Sequence, residues 1–290
     1  MDRKPIPMRS SDTIRTVPPL AYLPTVPSCI PVPERFVLFA PHPDDIAVSM
    51  GALAAHIAGL GIPTTIVLVT DGSEARLPDH VIRHAGGDPS LPPTELTKLR
   101  GRIRISEAEE ETVRLGFPKS SARLLRRQSW FTSHRTPAEH LNRDLSLRNV
   151  DGFCPGEIDQ AAIHEIRDAI GRGTGAICAV PDRHDRLVIH RITHQIVNRS
   201  RGLARMLTYE CLSTVKPTGP QTVFAFGEDL MRLKCHAIRA HWSMRERREL
   251  FGGYSNSGTE FYDCLIRRRN AELASTLSLS LPYAECFGWT

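Results

Sequence analysis

From residue 35 onward, short apolar runs alternate with amphipathic segments, and this alternation predicts an α/β fold. Phe36–Ala40 and Thr65–Val69 are short, mostly apolar runs, as expected of parallel strands that are buried on both faces. Between them, apolar side chains recur at helical spacing over residues 46–60, and Gly61 and Pro63 end that helix. Strand, helix and strand in this order predict a βαβ unit with a right-handed crossover.

The rest of the chain extends this pattern into one predicted domain over residues 35–290. Further helices are predicted over 95–115, 158–170, 186–198, 227–246 and 260–275, and further strands over 176–180 and 206–212. The predicted fold class is therefore α/β, with a Rossmann-like parallel sheet flanked by helices and with helices at the C-terminus. Residues 1–34 are rich in proline and predict an extended arm or tail. Two poorly periodic stretches, 72–94 and 117–157, are long enough to border a functional site.

Composition excludes several classes of protein. Hydrophobic residues make up 41% and charged residues 24%, which are globular values. No apolar run reaches the roughly 18–20 residues of a membrane span. The 37 basic residues are scattered, so nucleic-acid binding is not predicted, and the seven cysteines form no C-x-x-C pair. We therefore expect a reduced, cytoplasmic protein, and its oligomeric state stays open.

The first predicted strand ends in a motif that can bind a metal, Pro41-His42-Pro43-Asp44-Asp45. Ligands bind at the carboxyl ends of parallel strands. There, His42 and one carboxylate can ligate a divalent ion, while the other carboxylate takes a proton from water. In the alternative interpretation, one aspartate only caps the following helix. Capping does not account for a histidine held between two prolines.

The order of motifs resembles the PIG-L (LmbE-like) family of zinc-dependent N-deacetylases. The matching residues are Pro41–Asp45, Gly51 and Ala52, Val69–Gly72, Arg104 with Glu107, Leu115 and Gly116, and Lys234, Ala237, His241 and Ser243. The resemblance implies a Rossmann-like fold and a catalytic Zn²⁺ held by two histidines and one aspartate. It implies that His42 and Asp45 are ligands and that Asp44 is the general base. By itself, the Arg104–Glu107 spacing is also that of an ordinary helix salt bridge.

The third ligand is where the sequence departs from the family. The family keeps D-x-H-P-D-H after a later strand, its last histidine binding zinc and its first helping to stabilise the oxyanion. A gap after His184 places Arg186 at the ligand position, where an arginine cannot bind a metal. The other registration brings His184 to the metal, and we predict His184 as the ligand. His190 is expected about 9 Å further along a helix, with His194 one turn beyond it.

The predicted function is metal-dependent hydrolysis of an N-acyl group, in particular N-acetyl, from a small-molecule amino sugar or glycoconjugate. His184 and Arg186 are candidate oxyanion donors, and Asp71 and Arg104 are candidate substrate-binding residues. The long loops hold four candidates for the catalytic acid, His80, His84, His134 and His140. Two alternatives remain at this point. One is a metal-dependent hydratase of an unsaturated oxo acid, and the other is a non-catalytic binding protein whose metal site has decayed.

Overall fold

A computed structural model describes residues 33–73, 77–125, 160–171, 175–185, 187–210, 221–244 and 258–290. Its elements follow in chain order: β1 (Arg35–Ala40), α1 (Asp45–Gly59), β2 (Thr64–Leu68), α2 (Asp79–His84), α3 (Pro93–Arg114), β3 (Ala122–Leu124), α4 (Gln160–Ile170), β4 (Ala176–Pro181), α5 (Val188–Ser200), β5 (Arg205–Tyr209), β6 (Gln221–Phe226), α6 (Glu228–Ile238), α7 (Gly258–Thr276) and β7 (Tyr283–Trp289). None of the helices in these ranges is long and apolar enough to cross a bilayer. The predicted arm lies almost wholly outside them, and the single-domain boundary at residue 35 stays a prediction.

The strands form one seven-stranded sheet in the order β3-β2-β1-β4-β5-β7-β6. The first five strands in this order pair in parallel, and β7 runs antiparallel to both of its neighbours. In the centre, Leu38 of β1 pairs with Ile66 of β2 on one side and with Ala179 of β4 on the other. The prediction of an α/β fold with a Rossmann-like sheet flanked by helices is confirmed.

Both faces of the sheet are covered, which explains the continuous apolar strands. Phe36, Leu38 and Ala40 pack with residues of α1, α3, α6 and α7 on one face. Val37 and Phe39 pack with residues of α4 and α5 on the other. Because successive side chains of a strand point to opposite faces, burial on both sides removes the polar alternation that a half-exposed strand shows.

Hydrogen bonds hold the carboxyl end of β1 and the loop that follows it. The Tyr209 hydroxyl at the end of β5 donates to the Phe39 carbonyl at 2.6 Å. The Thr70 hydroxyl after β2 donates to the Pro41 carbonyl at 2.8 Å. Since β1, β2, β4 and β5 are parallel, these contacts lie at one edge of the sheet. The predicted metal motif therefore starts from a fixed backbone.

Several elements were not predicted from the sequence. Strands β3, β6 and β7 and the short helix α2 are additional, and the helix predicted over 227–246 ends at Ile238, with a separate 3₁₀ turn at Trp242–Met244. Strand β7 contains Glu285 in its middle, a buried carboxylate that breaks the apolar pattern on which strand prediction depends.

Glu285 stabilises a break in α1. The backbone of Met50 leaves the helical region (φ −134°, ψ 25°). The N–H groups of Ala52 and Leu53 then donate to the Glu285 carboxylate, each at 3.0 Å. Lys234 of α6 donates to the same carboxylate at 2.7 Å. Gly51 leaves room for this lysine, because a Cβ at residue 51 would lie 2.9 Å from its Cγ.

Replacing Lys234 by methionine tests this buried ion pair. Lys234→Met leaves the Glu285 carboxylate buried without a cation, so we expect the free energy of unfolding to fall by about 3–5 kcal/mol. Urea denaturation measures the change. Lys98→Met is the control, because Lys98 and Glu95 form an exposed pair at 2.8 Å, close to the 2.7 Å of the buried pair. That variant should keep the wild-type midpoint, and equal losses in both variants would contradict the interpretation.

Candidate active site

Three side chains converge at the carboxyl edge of the sheet in a geometry that suits a metal ion. His42 Nδ1 lies 3.0 Å from His190 Nε2. Asp45 Oδ2 lies 3.4 Å from the first of these nitrogens and 3.2 Å from the second. Two atoms that bind one tetrahedral Zn²⁺ at about 2.0–2.1 Å are roughly 3.3 Å apart. Each of the three residues offers one ligand atom, and these atoms all lie within 4.8 Å of one another, so that His42, Asp45 and His190 could together hold a metal ion.

Hydrogen bonds within the loop between β1 and α1 hold His42 and Asp45 next to each other. Asp45 is the first residue of α1, and its Oδ2 accepts the N–H of His42 at 2.7 Å. Its own N–H donates to the His42 carbonyl at 3.2 Å. Burial raises the pKa of Asp45, but His190 and His42 lower it by more. The pKa therefore lies below its usual value, and the carboxylate is ionised. The short loop between β1 and α1 thus presents an ionised oxygen ligand beside a nitrogen ligand.

The third member of the cluster is His190, in the first turn of α5. That helix begins at Val188, so His190 lies next to the strand end. Its Nδ1 lies 2.8 Å from Asp185 Oδ2. With a proton on Nδ1, shared with this carboxylate, Nε2 carries the lone pair that can bind a metal. The expectation that His190 lies about 9 Å down the helix is therefore wrong, because that distance counts six helical residues from His184, whereas the helix begins only two residues before His190.

The structure does not bring His184 to the other two predicted ligands. His184 is exposed, and its Nε2 accepts a hydrogen bond from Arg183 Nε at 3.0 Å. Its backbone N–H donates to Asp182 at 2.8 Å within the turn after β4. The position that we predicted for His184 is occupied by His190. Arg186, the other residue considered at this position, lies outside the described residues, and so do His134 and His140.

A signal for His190 was present in the sequence. Asp185-Arg186-Leu187-Val188-Ile189-His190 matches the first and last residues of the family pattern D-x-H-P-D-H without any gap. In this registration the aspartate orients the ligand, as its 2.8 Å contact with His190 indicates. Leu187 then stands where the family keeps the histidine that helps to stabilise the oxyanion. In this registration a histidine stands at the family's ligand position, and the departure from the family concerns the donor position.

Asp44 lies beside the cluster and contacts Arg104. Its Oδ1 lies 2.8 Å from Arg104 Nη2, and it makes no capping hydrogen bond to α1, which argues against the capping interpretation. Burial raises the pKa of Asp44, but the charges of Arg104 and His241 outweigh this and hold it below its usual value. Arg104 is only 1% exposed, so it meets the carboxylate and not open space. This burial argues against the predicted substrate-binding role of Arg104.

Asp71 begins the loop that follows β2 and packs towards α3. Its Oδ1 accepts the N–H of Ser73 at 3.0 Å. A Cβ at Gly101 would lie 2.5 Å from its Oδ2, so glycine permits this close approach. Gly72, with φ +67°, lies against the Pro43 ring and Arg104. The start of the predicted 72–94 loop therefore borders the site, and the substrate-binding role of Asp71 stays a prediction.

The two remaining candidates for the catalytic acid, His80 and His84, are exposed. The His84 ring packs edge-on against Trp242, with ring centroids 5.0 Å apart. This contact gives His84 a packing role on the surface of the protein.

Comparison with known proteins gives one family and a consistent fold. The family model described as PIG-L, GlcNAc-PI de-N-acetylase, matches residues 37–200, more than half of the chain. No curated protein matches the sequence significantly.

Solved structures with similar folds include deacetylases and a hydratase. A deacetylase of the teicoplanin biosynthesis pathway is 16% identical with a TM-score of 0.61, and the alignment covers 88% of this chain and 96% of that one. The N,N'-diacetylchitobiose deacetylase from Pyrococcus horikoshii is 20% identical (TM-score 0.56; 89% and 84% covered). The 4-carboxy-2-hydroxymuconate hydratase from Pseudomonas putida KT2440 is 13% identical (TM-score 0.57; 89% and 96% covered). At these identities the likeness shows the fold.

Alanine variants of the two histidines test which one binds metal. We expect His190→Ala to abolish stoichiometric Zn²⁺ binding, because it removes one of three ligand atoms, and His184→Ala to keep it. The zinc affinity of Asp185→Asn should lie between those of the two alanine variants. We expect it to be about 10–100-fold below that of wild type, because the His190 imidazole loses the carboxylate that orients it. Elemental analysis and competition with a chromogenic chelator measure these changes. Metal loss in His184→Ala with retention in His190→Ala would restore the first prediction.

Proposed function

The chain belongs to the PIG-L family of GlcNAc-PI de-N-acetylases, and from this membership and the site geometry we propose that it is a metal-dependent N-deacetylase. The observation that carries the proposal is the cluster of His42, Asp45 and His190 with an ionised Asp44 beside it. Three protein ligands leave a fourth position open, as catalytic zinc sites require. A decayed, non-catalytic site would not be expected to keep all three ligand atoms at matching distances.

We assign His42, Asp45 and His190 as the ligands and Zn²⁺ as the ion. Two imidazole nitrogens and one carboxylate oxygen form a donor set typical of catalytic zinc. When bound, the ion supplies a Lewis acid that polarises the amide carbonyl and acidifies water. Asp185 keeps the His190 ring in the orientation that ligation needs, at 2.8 Å.

In the proposed reaction, Asp44 moves the protons. Its carboxylate takes a proton from the water that attacks the amide carbon. The C–N bond then breaks, and Asp44 returns the proton to the leaving amine, so that the products are a carboxylic acid and an amine, which leave as carboxylate and ammonium at neutral pH. Arg104 holds the Asp44 carboxylate at 2.8 Å and keeps it ionised before the reaction.

The proposed substrates are N-acetylated amino sugars or their glycoconjugates. GlcNAc-PI, in the family description, and N,N'-diacetylchitobiose, in the name of one similar structure, are both N-acetylated amino sugars. Asp71 borders the site at the end of β2 and is our candidate for binding a sugar hydroxyl. We further propose that the protein works in the cytoplasm, as expected from the composition.

A hydratase of an unsaturated oxo acid is the second candidate. The similar fold of a hydratase supports it. So does Leu187, because an apolar residue at the family's oxyanion position removes a donor that amide hydrolysis uses.

Product analysis separates the candidates. Zinc-loaded protein is incubated with N-acetylglucosamine and N,N'-diacetylchitobiose, and both acetate and free amine are measured. Equal amounts of the two products support the deacetylase. Consumption of an unsaturated oxo acid without acetate would support the hydratase. A fully metal-loaded protein that is inactive on both classes would contradict the two enzymatic proposals.

The role of Asp44 is tested by its amide variant. Asp44→Asn should keep the fold and the metal while lowering kcat by about 10²–10⁴, the range for loss of a general base. Asp45→Asn is the matched control, since it changes the neighbouring carboxylate and should weaken metal binding instead. If Asp44→Asn lost the metal and Asp45→Asn kept it, the two roles would be reversed.

A further inference from the structure

Behind Asp44, a set of polar side chains continues into the interior between α1, α3 and the turn that follows α6. We call it the buried network, and it comprises Asp44, Arg104, Glu107, Glu111, His241 and Ser243. Five of these side chains are almost fully shielded from solvent, at 0–4% exposure, and Asp44 alone reaches the site. Neither the proposed ligands nor the proposed proton transfers use the residues beyond Arg104.

The network fixes both ends of the Arg104 guanidinium. Nη2 contacts Asp44, while Nη1 donates to Glu107 Oε2 at 3.1 Å and lies 3.3 Å from His241 Nδ1. Glu107 is itself held by Ser243, whose backbone N–H and hydroxyl donate to it at 2.6 and 2.7 Å. The position of Arg104 is therefore determined by groups on the turn after α6.

The network also returns to the helix that carries Asp44. His241 Nε2 lies 2.5 Å from Glu111 Oε2. The other oxygen of Glu111 accepts the N–H of Ala47, three residues after Asp44, at 3.2 Å. Contacts thus run from Asp44 through Arg104, Glu107, His241 and Glu111 back to the first turn of α1, and Glu107 Oε2 lies 3.7 Å from His241 Nδ1. This closed path ties the Asp44 side chain to its own backbone.

Acidic and basic groups alternate along the path. Burial lowers the pKa of His241, but hydrogen bonds to Glu107 and Glu111 raise it to about 9 overall, so the ring is cationic at neutral pH. Buried ion pairs of this kind contribute little net stability, because desolvation offsets their attraction. Their advantage here is directional, since each hydrogen bond fixes the orientation of the next group.

We propose that His241 is a positioning residue for Asp44, holding Arg104 and the first turn of α1 so that the Asp44 carboxylate points to the reacting water. The inference rests on the proposed function in that Asp44 is taken as the base. His241 acts through Glu107, which holds Arg104, and through Glu111, and it does not touch the substrate.

The turn that carries His241 is anchored on its other side. Met244 packs with Leu77, Val81 and Ile103 in a small apolar cluster, and Trp242 packs against the same cluster. His241 and Ser243 bind the network while the residues that alternate with them bind the apolar cluster. The turn is thereby held between α2, α3 and the network, which makes it a rigid support.

His241→Gln tests the proposal, because glutamine keeps some hydrogen bonding but cannot be cationic or span both partners. We expect kcat to fall about 10–100-fold, as for a displacement of about 1 Å of a catalytic group. KM should change less than twofold, and zinc occupancy should not change. Ile166→Ala is the control, since it removes buried volume on the opposite face of the sheet. At a matched loss of thermal stability it should keep the wild-type kcat.

A second variant and a structural measurement keep the test independent of activity. Ser243→Ala removes one donor to Glu107 and should also lower kcat, by a smaller factor than His241→Gln does. Crystal structures of wild type and His241→Gln should show the 2.8 Å contact between Asp44 and Arg104 lost or lengthened in the variant. If wild type releases no acetate, the proposed function fails while this distance still tests the positioning. An unchanged contact, a kcat no lower than that of the control, or loss of zinc would overturn the proposal.

Discussion

Carboxylates from distant parts of the chain bind the backbone N–H groups of α1, and the site depends on the placement that they give this helix. Glu111 of α3 accepts from Ala47, and Glu285 of β7 accepts from Ala52 and Leu53 at the break in the helix. A backbone N–H in a buried helix needs a partner, and each of these partners fixes the helix relative to another element. Because α1 begins at Asp45, its placement sets the distance between that carboxylate and the imidazole of His190 on α5.

The two adjacent aspartates differ in role because their surroundings differ. Asp45 faces His42 and His190, both of which can share a metal with it. Asp44 faces Arg104, a cation that binds no metal and keeps the carboxylate ionised. Neighbouring residues at a helix start point in different directions, so a two-residue motif can supply one ligand and one proton acceptor. The same reasoning explains why the buried network adjoins Asp44 and not Asp45.

The parts of the fold and site predicted from sequence are those with local signals. Strands β1, β2 and β4 were predicted because burial on both faces makes them continuous apolar runs, and His42 and the two aspartates because their motif is contiguous. Strand β7 has no such signal, because Glu285 interrupts its apolar run. The partners of Glu285 are backbone N–H groups of α1, more than 230 residues away in the sequence. The sequence-based position of His190 is wrong because it assumes helical spacing from His184, whereas α5 begins only at Val188. The role of His241 depends on contacts with α3 about 130 residues away, which no local pattern reveals.

The turn between β4 and α5 shows how one carboxylate can preserve a site while the sequence around it changes. Asp185 accepts the N–H of Leu187 through one oxygen and contacts His190 through the other, so it orders both the approach to α5 and the ligand on its first turn. Neither of these contacts uses a side chain of the positions between Asp185 and His190. Leu187 lies among them, half-buried where the family keeps a hydrogen-bond donor. In the proposed enzyme, position 187 therefore supplies no side-chain donor to the oxyanion, while the proposed ligands His42, Asp45 and His190 stay together. A chain with this combination must draw the charge stabilisation for amide hydrolysis from the ion and from groups elsewhere at the edge of the sheet.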